Sequence, residues 1–154
     1  MIKSWLQLNH QQSAEAIHFN NKWYSKSELE QHAEQFVKVL QQENASLHER
    51  IALVSDSPWV QLLVFLACAK LGLVFFPVSA KSPQQSQQKL LENAGISLLI
   101  HDTNKLQIKR LVQAPCQHLQ QLKEISLFIT TSGTNSEPKV VMLGHQALTY
   151  SAKL

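Results

Sequence analysis

A short polar segment between two apolar runs contains the residue types best suited to holding phosphate. Residues 130–136 are Thr, Thr, Ser, Gly, Thr, Asn and Ser; apolar residues 127–129 precede them, and Pro138 and Lys139 lead into the apolar run 140–143. Hydroxyls and backbone N–H groups on a glycine-containing loop, with one ammonium at its exit, provide many donors for phosphate oxygens. The pattern predicts a strand, a phosphate-binding loop and a second strand.

Two observations keep an alternative open for this segment. Serine, threonine, asparagine and glycine are ordinary turn residues, so a solvated hairpin loop has the same composition. Glu137 also places a negative charge beside the donors. The choice between a phosphate loop and a plain turn therefore depends on the elements that position the segment.

Length, composition and charge indicate a globular chain and make several classes of partner poor candidates. The chain has 154 residues, 44% of them hydrophobic, and its formal charge of +3 is spread over scattered Lys and Arg residues. A nucleic-acid interface needs a basic stripe, which this pattern lacks. The longest apolar run, residues 62–69, is too short to span a bilayer. Cys68 and Cys116 form no disulfide framework, and a reducing cytoplasm is the expected compartment.

Two local signals organise the beginning of the chain. Consecutive asparagines at positions 20 and 21 tolerate positive φ, which predicts a two-residue turn between short strands. Ser25 and Glu28 then have the spacing of a capping box. The helix that follows is predicted to bury one face through five apolar residues: Leu29, Ala33, Phe36, Val37 and Leu40.

The middle of the chain alternates between apolar runs and helical segments. Residues 103–123 interrupt this pattern and are predicted as loop or short helix. Strands that alternate with helices through short links are typical of crossover units. We therefore predict an α/β fold, with a parallel or mixed sheet and helices on both faces. The runs typical of strands buried on both faces are residues 51–54, 73–78 and 96–100.

Proline and glycine mark the ends of the two intervening helices. The first helix is predicted to begin at Pro58 and to end before Gly72. The second is predicted with Ser82 as its N-cap, Pro83 at its first position and Gly95 beyond its end.

The polar segment also resembles a known signature. Residues 131–139, TSGTNSEPK, are similar to the phosphate-binding motif TSGTTGxPKG of the adenylate-forming superfamily. This superfamily contains acyl- and aryl-CoA ligases, luciferases and the adenylation domains of peptide synthetases. Three further segments resemble its motifs in the same order: residues 25–29, 69–78 and 90–102.

On this resemblance, seven residues bind the phosphates of ATP. Lys139 corresponds to the mobile lysine of the motif, and no catalytic residue or metal ligand is assigned. Asn135 departs from the motif, Ser136 replaces its second glycine, and Val140 replaces the glycine after the lysine. Glycine permits close backbone approach, so these replacements are expected to restrict the loop. The other six phosphate-binding residues are Thr131, Ser132, Gly133, Thr134, Asn135 and Ser136.

The resemblance further implies the N-terminal subdomain of the acyl-CoA synthetase-like fold and an ATP-dependent acid–thiol ligase. Such an enzyme uses ATP and Mg²⁺ to convert a carboxylic acid to an acyl-adenylate, and then transfers the acyl group to CoA. Residues 1–154 correspond to the N-terminal portion of the large AMP-binding domain, with the rest of that domain and a C-terminal subdomain expected downstream. We therefore expect these 154 residues alone to be inactive in adenylation.

Several interpretations within and outside this activity stay open. The short lead before the first helix is similar to 2-succinylbenzoate–CoA ligases of menaquinone biosynthesis, while peptide-synthetase domains and other CoA ligases also fit. A non-catalytic adenylation-like scaffold or interaction module is an alternative, which the replacements at Ser136 and Val140 support. A plain nucleotide-binding module would bind ATP without any dependence on an acid. The expected partners are small molecules, with no nucleic acid and no membrane span.

Overall fold

The computed structural model describes residues 15–103, 105–111, 125–131 and 139–151. These ranges contain eight strands and four helices. The strands are β1 (Glu15–Phe19), β2 (Lys22–Ser25), β3 (Arg50–Val54), β4 (Val74–Val78), β5 (Leu98–Asp102), β6 (Leu106–Arg110), β7 (Ile125–Thr131) and β8 (Lys139–Gly144). The helices are α1 (Lys26–Gln42), α2 (Pro58–Leu71), α3 (Gln84–Ala94) and α4 (His145–Ser151).

The N-terminal hairpin and the first helix form as predicted. Asn20 and Asn21 have φ of 48° and 60° between the antiparallel strands β1 and β2. Ser25 Oγ accepts the N–H of Glu28 at 3.2 Å, and Glu28 Oε2 accepts the N–H of Ser25 at 2.8 Å. The bond from the Ser25 backbone, followed by the one from its hydroxyl, lowers the pKa of Glu28 to about 2. All five apolar residues predicted for the inner face of α1 are buried.

Aromatic rings attach this hairpin to α1 and α2. The ring centroid of Trp59 lies 5.1 Å from that of Phe19, 4.5 Å from that of Tyr24 and 5.5 Å from that of His32. Contacts between aromatic rings stabilise each pair by about 0.5–1.5 kcal/mol beyond the burial of their area. These ring contacts therefore hold the two-stranded sheet against the helices.

The second helix begins and ends at the predicted residues. Pro58 is its first residue, and the Oγ of the N-cap Ser57 accepts the N–H of Val60 at 3.4 Å. Gly72 follows the helix with φ of 71°, in the left-handed region. A Cβ at Gly72 would lie 2.5 Å from Cδ1 of Leu47, so an alanine there requires a left-handed backbone and a shift of the Leu47 side chain.

The third helix begins one residue later than predicted, and the prediction of a Ser82 N-cap is wrong. Gln84 is the first helical residue, and Pro83, with φ of −54° and ψ of 140°, takes the N-cap position without a side-chain capping bond. The N–H of Ser82 donates to the carbonyl of Ser79 at 3.3 Å. Its own carbonyl accepts Nε2 of Gln87 at 2.9 Å. Ser82 therefore belongs to the turn before the helix.

The main sheet has six strands in the order β6-β5-β3-β4-β7-β8. The four central strands are parallel, whereas β6 and β8 pair antiparallel with β5 and β7. The described part of residues 103–123 contains the strand β6, so the prediction of loop or short helix is wrong there. Four of its five residues are exposed, so the apolar alternation that marks a strand is weak there.

Helices cover both faces of the main sheet, as predicted. Ile51 and Leu53 of β3 pack toward α1 and α2, whereas Ala52 and Val54 pack toward α3. The chain thus leaves β3 toward one face and β4 toward the other. The carboxyl ends of these two strands form a topological switch point, and in open α/β sheets ligands bind at that edge.

Candidate functional site

The β7–β8 hairpin closes the predicted phosphate loop at its base. Thr131, the last residue of β7, pairs with Lys139, the first residue of β8, and both are exposed. The predicted strand–loop–strand unit is confirmed for its two strands. The structure therefore brings two of the predicted site residues together at one end of the sheet. The five between them lie outside the described residues and stay a prediction: Ser132, Gly133, Thr134, Asn135 and Ser136.

Val140 lies in β8 and not in the loop. It pairs with Thr130 and packs against the core under α3. A β-branched side chain suits a half-buried strand position. The side chain is therefore accommodated in the sheet, while its expected effect on the loop concerns residues outside the described ranges and stays a prediction.

A buried aromatic pair fixes β7 beside β4. The two strands are parallel neighbours, and the rings of Phe76 and Phe128 meet edge to face with their centroids 5.9 Å apart. Both phenylalanines are buried. Phe75 pairs with Leu127, Ser79 directly follows the last residue of β4, and Thr131 is the last residue of β7.

The carboxyl end of β3 carries a buried hydroxyl that the sequence pattern does not single out. Ser55 is 1% exposed, and its Oγ donates to Oδ2 of Asp102 at 2.6 Å. The same oxygen accepts the N–H of Ser57 at 3.0 Å, and the Ser55 carbonyl accepts Nε2 of Gln61 at 2.7 Å. These bonds fix the turn from β3 into α2 against the end of β5.

Asp56 connects β3 to the β4–α3 loop, which comprises residues 79–82. Its Oδ1 accepts the hydroxyl of Ser79 at 2.8 Å and the N–H of Ala80 at 3.1 Å. From the other side, Nε2 of Gln87 in α3 donates to the carbonyls of this loop, at 3.2 Å from Ser79 O and 2.9 Å from Ser82 O. The loop is therefore held by two separate elements.

A separate groove lies between α3 and the β5–β6 hairpin. Its volume is about 570 Å³, and Gln87, Gln88, His101 and Lys109 are among its lining residues. These residues come from α3, β5 and β6, on the far side of β3 and β4 from the β7–β8 hairpin. Thr131 and Lys139 and this groove therefore occupy different parts of the sheet.

The described cysteine and the potential metal ligands do not form a second site. Cys68 is buried in the core, and burial raises the pKa of its thiol. Cys116 lies outside the described residues. Within the described ranges, no three His, Cys, Asp or Glu side chains gather closely enough to hold a metal ion.

The charges at the hairpin suit an anionic ligand. Lys22 and Lys70 form ion pairs with Glu28 and Glu34. Lys139 forms none with a described carboxylate. An ammonium and a hydroxyl at the base of the hairpin are therefore both available to phosphate oxygens.

Solved structures share this arrangement of strands and helices. o-Succinylbenzoate CoA synthetase (MenE) from Bacillus subtilis, in complex with the acyl-adenylate intermediate OSB-AMP, superposes with a TM-score of 0.75 at 17% identity, over 99% of this chain and 44% of that chain. NpsA-ThdA, an artificially fused adenylation–PCP di-domain from Klebsiella oxytoca, gives 0.68 at 20% identity, over 94% and 32%. The chain thus has the N-terminal subdomain of the acyl-CoA synthetase-like fold, which confirms the predicted fold class.

The AMP-binding enzyme family matches residues 5–154, and the chain belongs to this family. The resemblance to the adenylate-forming superfamily is therefore confirmed. Gramicidin S synthase 2 from Brevibacillus brevis is 26% identical over 136 residues, which are 79% of this chain and 3% of that protein. The chain thus spans less than half of MenE and a small part of the synthase. None of the helices in the described ranges has both the length and the apolar character needed to cross a membrane.

Proposed function

We propose that this chain is the N-terminal portion of an ATP-dependent ligase that activates a carboxylic acid as an acyl-adenylate. The observation that carries the proposal is the pairing of Thr131 with Lys139 at the carboxyl edge of the parallel sheet. This pairing brings both ends of a segment rich in phosphate donors to the edge where α/β folds bind ligands. Membership in the AMP-binding enzyme family supports the same chemistry.

In the proposed reaction, a carboxylate oxygen of the acid attacks the α-phosphorus of ATP. The bond from that phosphorus to the bridging oxygen breaks, and pyrophosphate leaves with the additional negative charge. The Thr131 hydroxyl and the Lys139 ammonium would hold oxygens of the leaving phosphates, together with the predicted donors of residues 132–136. Donors that are already oriented stabilise such charge without rearrangement during the reaction. Mg²⁺ carried by the nucleotide supplies further positive charge.

The acyl group is then transferred to a thiol, for which we propose CoA. The likeness to MenE, an o-succinylbenzoate CoA synthetase, supports CoA as the acceptor. It also supports an acid of the 2-succinylbenzoate class, as in menaquinone biosynthesis. The likeness to an adenylation–PCP di-domain supports a carrier-protein thiol as the other acceptor. A direct comparison of CoA with a phosphopantetheinyl carrier as acceptor in the full-length protein distinguishes them.

The test of adenylation is ATP–pyrophosphate exchange by the full-length gene product, with 2-succinylbenzoate first and a panel of amino acids second. Lys139→Ala is expected to lower the exchange rate by about ten- to thousandfold, as is typical of losing one electrostatic stabiliser. Lys105→Ala is the matched control, because Lys105 lies in the turn between β5 and β6, at the same edge but away from β7.

The outcomes separate the competing functions. An unchanged rate in Lys139→Ala would remove this lysine from the site. A thermal shift with Mg-ATP, but no exchange with any acid, would favour a plain nucleotide-binding module. Absence of both in the wild type would favour a non-catalytic scaffold, the alternative that the Ser136 replacement supports.

A further inference from the structure

We propose that the β4–α3 loop forms a second wall of the nucleotide site, with Lys81 as its phosphate-contacting cation and Asp56 as its positioning residue. The inference rests on the proposed function, because it assigns a further contact to the same ligand. Lys81 is then a second cation of the nucleotide site beside Lys139, and it lies on a different loop of the main sheet.

The first argument is the position of the loop. β4 and β7 are adjacent and parallel, and the ring contact between Phe76 and Phe128 lies between them. Parallel neighbours are separated by about 4.8 Å. Ser79 directly follows the last residue of β4, Thr131 is the last residue of β7, and Lys81 comes two residues after Ser79. The β4–α3 loop therefore begins one strand away from the Thr131–Lys139 pair.

The second argument is that the backbone of this exposed loop is anchored. Asp56 accepts two hydrogen bonds from it, and Gln87 donates to the carbonyls of Ser79, Ala80 and Ser82. The N–H of Lys81 donates to Oγ of Ser79 at 3.2 Å, so the backbone of the lysine is part of the same anchored turn. A side chain on a fixed backbone loses less entropy when it binds a ligand.

The third argument is charge. Lys81 is exposed, and its ammonium forms no ion pair with a described carboxylate. The Oδ1 atom of Asp56 already accepts two bonds from the loop, which reduces the repulsion that this carboxylate exerts on a phosphate. ATP carries several negative charges, and cations on adjacent strand ends concentrate such a ligand at the edge.

The experiment measures the dissociation constant of Mg-ATP by isothermal titration calorimetry, using the full-length protein. Lys81→Ala is expected to weaken binding about five- to tenfold at low ionic strength and less at high ionic strength, because salt screens the contact. Lys81→Arg should restore most of the affinity. Lys105→Ala, at the same edge but on the far side of β3, should bind like the wild type.

Asp56 is tested by a matched pair of variants. Asp56→Ala removes the acceptor for Ser79 and Ala80 and should weaken Mg-ATP binding severalfold. Asp56→Asn keeps an acceptor oxygen and should restore the affinity. Melting temperatures without ATP show whether either variant also destabilises the fold. A purely structural role would lower the melting temperature without changing the affinity of the folded protein.

The outcomes distinguish this inference from the proposed function. A wild type that does not bind Mg-ATP would contradict both. A wild type that binds Mg-ATP, with Lys81→Ala within twofold of it, would overturn the assignment of Lys81 and leave the proposed function standing. Equal weakening by Asp56→Ala and Asp56→Asn would overturn the positioning role of Asp56.

Discussion

Arg110 Nη1 lies 2.7 Å from Glu49 Oε1 and joins the edge strand β6 to the turn before β3. Glu49 also accepts the N–H of Ser46 at 2.7 Å and the hydroxyl of Ser97 at 2.8 Å. Burial is the largest single influence on the pKa of Glu49, and it raises that pKa because it opposes ionisation. The bonds from Ser46, Ser97 and Arg110 together outweigh it, and the pKa of Glu49 is lowered. This ion pair secures β6 at the amino edge of the sheet, opposite the proposed nucleotide site.

Glu49→Gln should lower the free energy of unfolding at pH 7 by about 1–2 kcal/mol, because hydrogen bonds to a charged group are lost. Lys70→Gln, which breaks the exposed Lys70–Glu34 pair, should cost less than about 1 kcal/mol. Since the folded-state pKa of Glu49 is lowered, its contribution is complete above the ordinary value of 4.5 and is lost as pH falls through the lowered value. Urea denaturation at several pH values measures these effects, and equal losses in the two variants at pH 7 would contradict the prediction.

Ser25→Ala should destabilise the protein by about 1 kcal/mol, because it removes the N-cap of α1. The folded-state pKa of Glu28 is about 2, against an ordinary value of 4.5. The stabilisation from its bonds to Ser25 is therefore complete above pH 4.5 and decreases between pH 4.5 and about 2. Wild type should lose more stability than Ser25→Ala over this interval in denaturation followed by circular dichroism. Ser27→Ala, in the same helical turn, is the control, and parallel profiles for wild type and Ser25→Ala would count against the capping box.

Gly72→Ala and Gly95→Ala should destabilise the protein by similar amounts, about 1–2 kcal/mol each, because both glycines have positive φ. A Cβ at Gly72 also approaches Leu47, but Leu47 is 68% exposed and its side chain can move. Asparagine at either position should cost less than alanine, since it tolerates the left-handed region better. Thermal denaturation of the four variants checks this. A much larger loss at Gly72 than at Gly95 would show that Leu47 does not yield.

Features that depend on neighbouring residues were predictable from the sequence. The asparagine turn, the capping box of α1 and the glycine beyond α2 each require only a few adjacent residues, and all occur in the structure. The Ser82 N-cap is wrong because Gln87 binds the Ser82 carbonyl and keeps this residue in the preceding turn. The local sequence pattern does not show that the Gln87 side chain will bind the Ser82 carbonyl.

Features that join distant parts of the chain were not predictable from pattern alone. The Asp56–Ser79 bond spans 23 residues and the Ser55–Asp102 bond spans 47, and no spacing rule connects such positions. The predicted phosphate loop, in contrast, is one continuous segment, so its composition was visible at once. Its flanking strands are confirmed, while its central residues stay a prediction.

On the proposed function, the ring contact between Phe76 and Phe128 would make two core residues subject to selection for ligand binding. Both are buried beneath α3, and their rings meet between the strands β4 and β7, which lead to Ser79 and Thr131. A hydrophobic replacement of different shape can preserve a folded core while shifting the elements around it. On the proposed function, evolutionary change at these two phenylalanines is limited by nucleotide affinity as well as by stability, although neither contacts the nucleotide.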